Sequence, residues 1–216
     1  MYGELQDIES KDGQKIQGFP VRIPRPLKLA VLRLPTNDEM IEYLSKQRSI
    51  YRDLGGRKGE GESVPNPQSD LDLFGKIRID KVADESQKFD AAEAAKALRQ
   101  ITMQKIESCA PEGDGYRITL KTIFGVTVHL IKIPFEKDLA FYRQSVYKSR
   151  DLPHNIEERR FPPEAPVRLY DSAIESVEGY TPDFTSKTVP PHHKAAVIFE
   201  LVNAINDLDP SLDPNS

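Results

Sequence analysis

FPVRIPRPLKLAVLRLPTNDEMIEYL, residues 19–44, and ITLKTIFGVTVHLIKIPFEKDLAFYR, residues 118–143, align without a gap, and that alignment organises the whole chain. Val21 falls on Leu120, Arg22 on Lys121, and Leu27, Leu29 and Val31 on Val126, Val128 and Leu130. The match tightens where Leu32-Arg33-Leu34-Pro35 meets Ile131-Lys132-Ile133-Pro134, and Glu39, Met40 and Tyr43 meet Asp138, Leu139 and Tyr142. A one-residue deletion then brings Arg52-Asp53-Leu54 onto Arg150-Asp151-Leu152. Hydrophobic periodicity alone would make any two strand-then-helix segments look alike, but it does not account for the shared basic residue before Pro, the shared Tyr and the shared Arg-Asp-Leu.

Each copy reads the same way. Alternating apolar positions over 19–23 and 27–34, and over 116–123 and 126–133, predict paired strands, with Phe124-Gly125 supplying a tight turn in the second. Pro35 and Pro134 end the ladders, since proline has no amide hydrogen to donate. Thr36 and Glu39 have capping-box spacing, so a helix is expected from residue 37, its stripe running through Met40, Leu44, Gln47, Tyr51 and Leu54. No such box precedes the second helix, where Phe135 must be placed by packing.

Polar Gly- or Pro-rich stretches at 55–70 and 153–166 read as loops, followed by LDLFGKI facing VRLYDSAI and by closing helices from about residues 89 and 192. The closing helix of the second copy, apolar at Ala195, Ile198, Leu201, Val202 and Ile205, is expected to be the more central. The predicted fold is therefore α+β, a tandem internal duplication of a β-hairpin, helix, loop, helix unit. A flexible N-terminal segment covers 1–16, unit 1 covers 17–110, unit 2 covers 111–207 and an acidic flexible tail covers 208–216.

Composition narrows the function. The 216 residues are 38% hydrophobic and 30% charged, with a net charge of −4, which suits a large solvated surface and argues against a protein that coats nucleic acid. No run approaches a membrane span and MYGELQDIESKDGQK lacks the order of a signal peptide, so a cytoplasmic location is expected. The single cysteine, Cys109, placed near the end of a predicted helix, excludes an internal disulfide or a zinc site built on cysteine pairs.

Candidate chemistry is sparse. Gly55, Gly56, Gly59 and Gly61 with Arg57 and Lys58 invite a phosphate-loop reading, but the spacing is not the Walker pattern and the other copy has no glycine there. His192 and His193 point about 100° apart on a helix, too far to share a metal readily, and read as solvated; His129 reads as a sheet-surface residue. The expectation is no metal, no cofactor and no catalytic residue.

Charge recurs at matching places. Lys46, Arg48, Arg52, Arg57 and Lys58 cluster around the end of the first helix of copy one, and Arg143, Lys148, Arg150, Arg159 and Arg160 recur in copy two. One reading is a solvated helix face with cations at the negative end of the helix dipole; the other is a pair of basic surfaces that bind an acidic partner.

Through LRLPTNDEM, YRDLGGRKGEGE and IKIPFEKDL, and through its organisation, the chain resembles accessory or assembly proteins of bacteriophage tails and prophage-derived particles. That resemblance implies a non-enzymatic, virion-associated assembly role and assigns no role to any residue. The expected function is a structural or adaptor protein presenting two related surfaces to a protein partner. The alternative is nucleic-acid binding through the paired basic surfaces, with Tyr51, Tyr142 or Tyr147 stacking on bases.

Overall fold

The structure, a computed structural model, describes residues 5–9, 13–24, 27–52, 62–79, 86–146, 148–153, 156–180 and 188–208. The chain is α+β. Its first half runs β1 (Gln6–Glu9), β2 (Lys15–Ile23), β3 (Lys28–Leu32), α1 (Asn37–Ser45), β4 (Arg48–Arg52), β5 (Glu62–Val64), α2 (Pro67–Ile77) and α3 (Ala91–Thr102). The second half runs β6 (Lys105–Glu112), β7 (Gly115–Thr122), β8 (Gly125–Lys132), α4 (Glu136–Ser145), β9 (Lys148–Leu152), β10 (Ile156–Arg160), α5 (Glu164–Ala173), β11 (Ile174–Glu178) and α6 (Pro191–Leu208).

Both long hairpins form where alternation indicates. In β7 and β8 the buried residues are Tyr116, Ile118, Leu120 and Thr122, facing Thr127, His129 and Ile131, and Gly125 takes a φ of 97° at the turn. Phe19, Val21 and Ile23 of β2 and Ala30 and Leu32 of β3 repeat that pattern. The hairpins lie in separate antiparallel sheets, β1-β2-β3 and β11-β8-β7-β6. After α2, Arg78 bridges to Leu32 of β3, just as β11 pairs with β8 after α5.

Each long sheet is covered by helices. Leu73, Phe74 and Ile77 of α2 and Ala94, Ala97, Leu98 and Ile101 of α3 close the first core. The second is closed by Leu139 and Tyr142 of α4, Leu169 and Tyr170 of α5, and Val197, Ile198, Leu201, Val202 and Ile205 of α6. Thr36 caps α1 as its spacing requires: its side chain accepts from the Glu39 amide and the Glu39 carboxylate accepts from the Thr36 amide. Phe135, at the matching place before α4, makes no side-chain cap.

The differences from expectation are mostly extra strands. α1 stops at Ser45 rather than near Leu54, and Ile50 and Tyr51 enter β4 instead of continuing a helical stripe. The two stretches read as loops contain β5, the start of α2, β10 and the start of α5. Those strands assemble a further sheet from both halves, ordered β5-β4-β10-β9, and this is where the halves are stitched together. Part of the N-terminal segment read as flexible is β1, which gains order by pairing with the edge of β2, while Leu5 just before it packs against the first core. Strand β6 crosses residues 110 and 111, where the two units were divided, and carries Cys109 on a strand rather than a helix. The acidic tail beyond Leu208 lies outside the described residues.

Candidate functional site

Two polar features stand out, one open and one enclosed. The open one grows from the shared sheet. Its strands, RSIYR, IEERR and KSRDL, are charged. Directly across the ladder Arg48 and Lys148 face Arg160, and Asp151 faces Glu157. These like charges are offset by Arg150 opposite Glu158 and by the ion pairs of Arg48 and Arg160 with Glu158 and of Arg159 with Glu157. Ile50 and Arg150 flank Glu158 from either side, and Ser49 and Ser149 flank Arg159.

Glu158 is almost fully buried. Arg48 Nη1 donates to its Oε2 at 3.1 Å and Arg160 Nε donates to its Oε1 at 3.2 Å. Burial pushes this carboxyl upward, but the Arg160 hydrogen bond and the charges of Arg48 and Arg160 outweigh it, leaving a net lowering. Arg159 donates to Glu157 at 2.8 Å and lies over the Tyr51 ring, 4.3 Å from its centroid.

Beside this sheet a cleft of about 620 Å³ opens between Ser45 at the end of α1, Phe141 and Gln144 of α4, Lys148 of β9, Arg160 of β10 and Arg168 of α5. The Arg168 guanidinium carbon sits 4.3 Å from the Phe141 centroid. Three cations thus line a partly apolar recess whose one lining carboxylate is that of Glu164.

The cations singled out in the sequence are distributed unevenly. Lys148 and Arg160 line the cleft, Arg160 while also bonded to Glu158, and Arg48 and Arg159 are bonded to Glu158 and Glu157. Arg150 is exposed on β9, opposite Glu158, and Arg52 stands opposite Ile156 in the ladder. Lys46 bonds Glu42 at 2.7 Å, and Arg143 bonds Glu136 at 3.4 Å. They therefore belong to strands more than to helix ends, because α1 and α4 stop before the charged runs begin. Arg57 and Lys58, with the glycine-rich stretch, lie outside the described residues.

Arg168 and Phe141 were not picked out from the sequence. The available signal was Phe141 itself, a large apolar residue off the stripe of Leu139, Tyr142 and Val146.

The enclosed feature overturns the reading of the histidines as solvated. His129 is 0% exposed, His193 1% and His192 9%. His129 Nδ1 lies 2.8 Å from Tyr170 Oη, and its Nε2 lies 3.3 Å from Thr127 Oγ1 and 3.2 Å from Tyr180 Oη. Tyr180 Oη also reaches His193 Nδ1 at 2.9 Å, so one hydroxyl ties two imidazoles together. Lys194, likewise buried, donates to Asp171 at 2.6 Å.

Loss of hydration on charging pushes His129 and His192 down to about 4 and His193 well below its ordinary value, the last also through its two histidine neighbours. Burial raises Tyr170 and Tyr180. The network is accordingly a set of neutral rings and hydroxyls at neutral pH. Among the described residues, no group of three or more His, Cys, Asp or Glu is placed to hold a metal ion.

No family model, curated protein or solved structure matches the chain. No described helix is long and apolar enough to cross a membrane.

Proposed function

We propose that the chain is a tandem pair of related α+β units acting as a non-catalytic adaptor or assembly protein, in a phage-tail-like particle, and that its cleft holds an acidic segment of a protein partner. The tandem reading is supported by the recurrence of the element order from β1 to α3 between β6 and α6, apart from β11, whose place in the first half is taken by the single Leu32–Arg78 bridge. The observation that carries the binding reading is that Lys148, Arg160 and Arg168 line one recess together with Phe141, Pro162 and Ala165. An extended peptide carrying carboxylates beside an apolar side chain matches that lining, with guanidinium groups suited to paired hydrogen bonds with carboxylates.

The test is fluorescence anisotropy of a labelled Asp- and Glu-rich peptide containing one Leu, and of a single-stranded oligonucleotide, across a salt series. The expected result is peptide binding weakened about tenfold or more by Lys148→Glu with Arg168→Glu, at unchanged urea midpoint. Tighter binding of the oligonucleotide, with affinity falling steeply against the logarithm of salt, would replace this reading with the nucleic-acid one.

A further inference from the structure

The link between the halves is asymmetric. β4, the first strand of one short hairpin, pairs with β10, the second strand of the other. The two hairpins share one register: Ile50 faces Glu62 and Arg48 faces Val64 in the first, while Arg150 faces Glu158 and Lys148 faces Arg160 in the second. By position, then, β4 corresponds to β9 and β5 to β10. Among the described residues β5 and β9 each pair on one side only. The sheet therefore ends in a second strand at one edge and a first strand at the other, the same two kinds of edge that its internal junction joins.

We propose that β9 of one copy pairs antiparallel with β5 of a second copy, in the register of β4 on β10, so that chains join head to tail. That register sets Arg150 opposite Glu62 of the second copy, Ser149 opposite Ser63 and Lys148 opposite Val64. The single charged pair directly across the ladder is thus of opposite sign, and all of these residues except the half-buried Val64 are exposed in the isolated chain. Two β9 edges centred on Arg150 would instead bring like charges face to face, so the charged edge rejects its own kind while accepting β5. The same step sets α4 of one copy beside α3 of the next, as α1 is set beside α6 within the chain. A heterologous contact leaves one edge of each kind open after every addition, so it continues until it closes a ring or extends a filament.

The junction shares Lys148 with the cleft of the acidic-peptide reading, so the two are separated at Glu62 and Arg150, neither of which lines the cleft. The experiment is sedimentation velocity of the full chain over increasing concentration, with Arg150→Glu and Glu62→Arg alone and mixed. Wild type is expected to pass beyond a dimer. Each single variant should associate about tenfold or more weakly, and an equimolar mixture should recover association, because each supplies the edge that complements the other. Circular dichroism melting matched to wild type confirms that the variants fold, and unchanged anisotropy with the acidic peptide for Glu62→Arg keeps the two readings separate. A wild type that stays monomeric at every concentration overturns the proposal, as does an oligomer that both single variants form as well as wild type.

Discussion

The two halves present a similar order of elements, with β11 added in the second, around largely apolar cores, the second of which also encloses a histidine–tyrosine network. In the first, the sheet buries Ala30 and α2 buries Phe74, with Ala94 and Ala97 of α3 fully covered, and the ring of Phe74 packs 4.8 Å from that of Phe89. In the second, the sheet buries Thr127 and His129, α5 buries Tyr170 and α6 buries His193, with Tyr180 bridging the two histidines. All four histidines of the chain lie in the second half. Both cores are closed mainly by apolar side chains, and the second also accommodates a polar network. The network holds only while its rings are neutral and its hydroxyls have partners.

Acid should separate the halves most strongly. Below the ordinary histidine value of 6.5 the unfolded chain binds protons that native His129 and His192 refuse until about 4, so stability is full above pH 6.5 and is lost progressively as pH falls toward 4. Each displacement corresponds to roughly 3 kcal/mol, giving a combined loss on the order of 6 kcal/mol in the second half. In the first half, Glu39 is lowered to about 2 by its hydrogen bonds with Arg33, so its contribution begins to fade only below about pH 4.5. Hydrogen exchange between pH 7 and 4.5 should show protection lost in β7, β8 and α6 before β2 and α3. Equal loss in both halves would break the contrast.

Exchanging chemistry between the cores comes next in size. His129→Leu removes the groups that Tyr170 and Tyr180 bond, and should lower stability by about 2 to 3 kcal/mol in urea unfolding at pH 7. Adding Tyr170→Phe should recover part of that loss, since removing both partners leaves fewer groups unsatisfied. Phe74→Tyr, which places a hydroxyl in the apolar first core, should cost about 2 kcal/mol. A neutral Phe74→Tyr would show that the first core already admits water.

The helix starts give the smallest difference. Thr36→Ala removes a cap and should lower the unfolding free energy by about 1 kcal/mol, whereas Phe135→Thr supplies one to α4 and should raise it by roughly 0.5 kcal/mol. Opposite signs in urea midpoints check this; equal signs would mean that packing, not capping, sets both helix starts.

The features legible in the sequence are those whose cause is local. Alternation over β2, β3, β7 and β8, the proline stops and the Thr36–Glu39 box each act within a few residues, so hairpins and helix onset could be read directly. The end of α1 could not. Tyr51 at helical spacing from Gln47 looks like a continuing stripe until Arg159, distant in sequence, is found over its ring. Strands such as KSRDL and IEERR carry no apolar alternation, because their stability comes from ladder and charge partners in other segments. For the cleft, the basic residues Lys148 and Arg160 were visible; their meeting with Arg168 was not.

By itself, then, the sequence determined the α+β character, the long hairpins, the capped start of α1 and which side chains carry charge. Tertiary structure alone decided that the charged segments form one sheet across the halves, and that three histidines are buried rather than solvated. The physical reason is range. A dihedral preference or a cap is settled by neighbours in the chain, whereas the environment of an imidazole or a guanidinium is settled by whatever the fold brings to it. His129, on a strand with alternating faces, was free to point either way until Tyr170 and Tyr180 supplied the hydrogen bonds that make its inward face tolerable.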